Sequence, residues 1–220
     1  MAQQNKYIAL NILAISGFVV LLSFIWQGNK GFNLWDEGFL WYGVQRVLLG
    51  EIPIRDFMAY DPGRYYWTAA FVNLFGDSDI MSLRAAVAVF QALGLFIGLF
   101  LVARSQHLKS RADIIFLFLA AITLVVWMFP RHKLFDISIS IFLIGILTYL
   151  ISNPIPKRYI VTCICGGLIA IFGRNHGVYG AVGSLGVITC LSIKNLSDIG
   201  FTWAVGLCAA GVAIVFSPIA

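Results

Sequence analysis

Residues 7–26, YIALNILAISGFVVLLSFIW, run for twenty positions without a charged side chain. About 17 to 25 apolar residues in helix are what a hydrocarbon core of roughly 30 Å requires, so this stretch reads as a membrane span. It follows the short, weakly charged start MAQQNK, and no small-residue cleavage pattern comes after it. It therefore reads as a retained signal anchor. Working outward, comparable apolar blocks lie at 80–103, 113–129, 134–151, 159–173, 176–193 and 199–217, with a shorter helical run at 64–75. The expectation is an all-α, polytopic helical membrane protein with about seven transmembrane helices, residues 1–220 forming a single transmembrane domain. Composition agrees: 60% of the 220 residues are hydrophobic and 11% charged, and the mean hydropathy of +0.89 lies outside the range of soluble domains.

The formal net charge of +5 does not point to nucleic acid, because the basic residues are scattered between apolar spans rather than gathered in a run. Cys163, Cys165, Cys190 and Cys208 all fall inside apolar blocks with no CxxC pair, and are expected to behave as small hydrophobes. With a cytoplasmic N-terminus, Arg104, Lys109 and Arg111 sit in one inside loop, as the positive-inside tendency asks. Eight of the ten acidic residues then face outside, most of them between the first and second spans.

That first extracytoplasmic loop, 27–79, is too aromatic for a flexible linker. Leu40, Val44, Val47 and Leu48 recur at helical spacing from Asp36 to Leu49, which predicts an amphipathic helix along the membrane surface, ended by Gly50. Pro53 and Pro62-Gly63 break the chain before the next helix begins at Arg64. Asp36 and Glu37 open the amphipathic helix. Acids favour a first turn, but one would satisfy that preference, and two adjacent carboxylates at a membrane boundary cost desolvation and mutual repulsion. They are candidate catalytic residues. Further on, Arg55, Asp56, Asp61 and Arg64 surround a proline-glycine turn beside Tyr60, Tyr65 and Tyr66, either as a surface turn laced by ion pairs or as part of a site.

Two other polar islands fall on the same face. PRHKLFD, with Arg131, Lys133 and Asp136, joins the third and fourth spans, and GRNHG, with Arg174 and His176, joins the fifth and sixth. Basic residues outside run against the positive-inside tendency, and the phosphate of a membrane-embedded ligand would give them a role. Ordinary snorkelling to lipid headgroups is the alternative, and the histidines lack any metal-ligand spacing.

The segment DEGFLWYGVQRVLLGEIPIRDFMAYDPGRYYWTAAFVNLFG resembles the first extracytoplasmic loop of GT-C fold membrane glycosyltransferases, in the branch of protein O-mannosyltransferases and aminoarabinose transferases. The likeness rests on Asp36-Glu37 after the first span, Asp61-Pro62, the aromatic Tyr65-Tyr66-Trp67 and the closing Leu74-Phe75-Gly76, with Arg131, Lys133, Asp136 and Arg174 at family-like places. It implies transfer of a sugar from a polyprenyl-phosphate donor to an unknown extracytoplasmic acceptor, with inversion. Asp36 would act as general base beside Glu37, and Asp61, Arg64, Tyr65, Arg131, Lys133, Asp136, Arg174 and His176 would bind substrate, Asp136 positioning Arg131 or Lys133. Diphosphate-using relatives often need a divalent metal and monophosphate-using ones as a rule do not, so the resemblance leaves a divalent metal open. The resemblance implies an integral protein of a bacterial inner membrane, partnered by membrane lipid and not by nucleic acid. Relatives usually carry more spans and often a soluble C-terminal domain, so it also implies a fragment, a split protein or a degenerate relative. The rivals are a non-catalytic membrane subunit and a transporter-like protein binding a lipid-linked substrate.

Overall fold

A computed structural model describes residues 2–76, 78–106, 111–128, 133–194, 196 and 199–216. Its helices are α1 (Ala2–Gln27), α2 (Glu37–Leu48), α3 (Pro62–Phe75), α4 (Ile80–Ser105), α5 (Arg111–Trp127), α6 (Leu134–Ser152), α7 (Pro156–Phe172), α8 (Arg174–Ile193) and α9 (Phe201–Phe216). The chain is a helical membrane protein: α1 from Tyr7, α4, α6 and α8 are long and apolar enough to cross a bilayer, while α5 and α9 are apolar over shorter lengths.

The chain divides into two units, Met1–Ile141 and Phe142–Ala220. The first is built on α1, α4 and α5, whose buried Ile12, Val20, Leu95, Leu99, Leu117 and Ala121 interlock. Side chains 95 and 99, and 117 and 121, are four apart, so each pair stacks on one face of its helix. Gly94 lets α6 approach α4: a Cβ there would stand 2.7 Å from the Cβ and Oγ of Ser138. In the second unit Leu150, Tyr159, Ile188, Leu191 and Ala204 form a separate core.

Three local expectations change. Most of the stripe on α2 is covered by protein: Val44, flanked by Leu40 and Val47, packs on Ala69 and Val72 of α3, while Leu48 stays exposed. α3 starts at Pro62 rather than Arg64, because proline's fixed φ and missing N–H suit the first helical turn. Arg174 and His176 are not in a loop: α7 and α8 are separated by Gly173 alone, and both residues belong to the first turn of α8. The cysteines hold a fourth difference. Cys163 of α7 and Cys208 of α9 form a disulfide with Cα atoms 4.9 Å apart, while Cys165 and Cys190 are free.

Candidate functional site

The loop between α1 and α4 folds back as two helices, and one residue holds it there. Arg84 lies one turn into α4 and is buried with Glu37 of α2. Its Nε and Nη2 donate to Oε1 and Oε2 of Glu37, both at 2.9 Å, a bidentate pair. Its remaining N–H groups donate to the carbonyls of Gly28 and Gly31, just past the end of α1. One guanidinium thus ties together α1, α2 and α4.

The acidic pair splits by environment. Glu37 is committed to Arg84 and also accepts from the backbone N–H of Asn33 at 3.1 Å. Asp36 is exposed and precedes α2, yet its side chain does not cap the helix. It accepts instead from Nδ2 of Asn33, whose Oδ1 accepts from the backbone N–H groups of Trp35 and Asp36 at 3.0 and 3.3 Å. Asn33 thus organises the turn that leads into α2, and Asp36 is among the residues that line a cavity.

A second cluster adjoins the cavity, whose lining includes Asp61 and Arg64. Arg64 in the first turn of α3 contacts Asp61 at 3.1 Å and Asp136 of α6 at 2.6 Å, and its guanidinium lies 5.5 Å from the Phe135 ring. The carboxylate of Asp136, expected to position Arg131 or Lys133, meets Arg64, 72 residues away in sequence. Lys133 is exposed just before α6, and Arg131 falls outside the described residues. Arg174 and His176 belong to the second unit, with the imidazole of His176 5.9 Å from the Tyr179 ring.

Tyr65 of α3 also lines the cavity. It is buried against Gly43, where any Cβ would run into its ring, and makes edge contacts with Phe57 and Phe39 at 5.8 and 6.4 Å. Burial, with Asp61 nearby, pushes its phenol up to about 12. The Tyr65 hydroxyl makes no hydrogen bond to any described residue, although the side chain lines the cavity. By contrast Arg55 and Asp56 are not part of the cavity wall. They pair with each other at 2.8 Å in an exposed turn, where the hydrogen bond from Arg55 and the N–H of Ile52 hold the Asp56 carboxyl down at about 2.

The cavity holds about 220 Å³ and is walled by α1, α2, α3, α4 and the start of α6. That is smaller than the roughly 300–1,000 Å³ typical of pockets for drug-sized ligands. On α4 its lining recurs at helical spacing: Leu83, Arg84, Val87, Ala88 and Gln91. Its ionisable lining is Asp36, Glu37 and Asp61 against Arg64 and Arg84, one net negative charge. Among the described residues no three His, Cys, Asp or Glu side chains converge as a metal site. Arg84 and Gln91 are the lining residues that sequence reading passed over; the signal was a charge and an amide inside an otherwise apolar span. Compared with models of known protein families, with curated proteins and with solved structures, the chain finds no match.

Proposed function

We propose that this chain is a membrane glycosyltransferase of the GT-C type, with seven crossings and its catalytic face extracytoplasmic in a bacterial inner membrane. Asp36 removes the proton from an acceptor hydroxyl as that oxygen attacks the anomeric carbon of a polyprenyl-phosphate sugar. The new C–O bond forms while the bond to phosphate oxygen breaks with inversion, and the lipid phosphate leaves with the electron pair. A carboxylate close to the reacting carbon also favours a transition state of oxocarbenium character. The observation that carries this reading is the placement of Asp36: an exposed carboxylate, oriented by Asn33, on the rim of a cavity that continues between apolar helices. Glu37 is a positioning residue in this scheme, since its oxygens are held by Arg84. The net negative lining leaves the leaving phosphate to cations beyond the cavity, for which Arg131 and Lys133 are the candidates.

One observation favours a non-catalytic, lipid-binding subunit instead: both guanidinium groups of the cavity, Arg64 and Arg84, are already paired with carboxylates. The two readings part in a transfer assay. Membranes holding the full chain are incubated with a polyprenyl phosphate carrying labelled sugar, and label is followed out of the lipid fraction. The enzyme reading expects release that falls by at least about a hundredfold in Asp36→Asn at unchanged abundance, in line with loss of a general base. Release no faster than from membranes lacking the protein would favour the subunit.

A further inference from the structure

Gln91 lies in mid-helix on α4, about two turns or roughly 10 Å beyond Arg84. It is only 4% exposed, it lines the cavity, and its amide makes no hydrogen bond to any described residue. Buried amides are nearly always partnered, and within an apolar helix there is little else to bond to. The Tyr65 hydroxyl, on a side chain also 4% exposed, is the second such group in the same cavity wall. Ser23 of α1 adds a further hydroxyl to the lining. These are uncharged donors and acceptors, while the charged lining carries one net negative charge and so disfavours a phosphate inside. The volume of about 220 Å³, below that of pockets for drug-sized ligands, suits one small ring.

We infer that Gln91, assisted by Tyr65, is the residue that reads the hydroxyls of an uncharged sugar ring inserted into this cavity, with the phosphate of the same lipid-linked molecule held outside it. The inference rests on the donor class proposed above and adds the specificity determinant within it. A carboxamide offers two donors and two acceptor lone pairs, so it discriminates the orientation of ring hydroxyls in a way an apolar wall does not.

The test measures equilibrium binding to the full chain in lipid nanodiscs. The probes are a short-chain polyprenyl phosphate, and the same lipid carrying mannose, glucose, galactose or N-acetylglucosamine. The wild type should bind at least one sugar-bearing lipid more tightly than the sugar-free lipid. Gln91→Leu should weaken that binding about tenfold, the worth of roughly one hydrogen bond to a buried partner, and leave the sugar-free lipid unchanged. Gln91→Leu should also melt no lower than the wild type, because it removes an unpaired amide; a structural glutamine would give the opposite shift. Gln91→Met serves as a second apolar variant. The inference is overturned if the wild type prefers none of the four sugars over the bare lipid, if both apolar variants keep the preference, or if they lose both lipids alike. Failure of the enzyme reading looks different: sugar-dependent binding through Gln91 with no transfer of label sinks catalysis and keeps this site.

Discussion

Arg84 is the residue on which the site's geometry turns. Removing one partner from a buried ion pair leaves an uncompensated charge, which costs about 3–5 kcal/mol. Arg84→Ala should lower stability by about that much and also free the carbonyls of Gly28 and Gly31, so a double variant Glu37→Leu/Arg84→Met should recover only part of the loss. Chemical unfolding of the purified variants checks this, and full recovery by the double variant would show that the backbone contacts contribute little. Acid should act through exposed carboxylates. Asp56 is held down at about 2 from 3.8, and Asp79, accepting from the Ser82 N–H at 2.7 Å, is lowered as well. A carboxyl lowered in the folded state adds stability that is complete above its unfolded value and is lost as pH falls toward the folded one. The melting temperature should therefore decline as pH drops from 3.8 toward about 2, and Asp56→Asn/Asp79→Asn should flatten that decline. A decline equally steep in the double variant would assign acid sensitivity to other groups. Among the cavity's lining residues, Asp36, Asp61 and Tyr65 were legible in the sequence because acids and aromatics stand out in an apolar chain. Arg84 and Gln91 were not, because their meaning depends on what folds against them, Glu37 being 47 residues from Arg84.

At the level of elements, the cavity exists because α2 and α3 pack closely enough to hold Tyr65 in its wall. Gly43 is the contact that permits this, since a side chain there would displace the ring. Gly43→Val should cost about 1–3 kcal/mol from overpacking and should loosen binding of any cavity ligand, measured as a fall in melting temperature together with weaker affinity for polyprenyl-phosphate sugar. An unchanged melting temperature would mean that the two helices separate without consequence. The existence of α2 and α3 was legible from periodicity and from Gly50 and Pro62. Their mutual packing was not, because an amphipathic stripe says that a face is apolar without saying whether lipid or protein covers it. The same limit explains the cysteines: thiols in apolar helices look alike in sequence until helix crossings bring two together.

On the scale of the whole molecule, hydropathy carries most of what could be read, since an 18-residue apolar run has few alternatives to a span. α4, with buried Arg84 and Gln91 in its first half, is the span that matters most. If it crosses the bilayer, Ser78→Cys and Gln106→Cys, just outside its two ends, label from opposite faces. A membrane-impermeant maleimide should modify Ser78→Cys in intact cells and Gln106→Cys only after permeabilisation, with Cys165 and Cys190 replaced by alanine to clear the background. Labelling of both from one face would remove α4 from the spanning set.

The most direct measurement is a cryo-EM map of the full chain in a lipid nanodisc, bound to a rigid antibody fragment and loaded with a non-hydrolysable polyprenyl-phosphate hexose. The sugar should be seen between Asp36, Tyr65 and Gln91, with its anomeric carbon toward Asp36 and its phosphate outside the cavity. Sugar density elsewhere, or an acyl chain filling the space beside Gln91, would contradict the account.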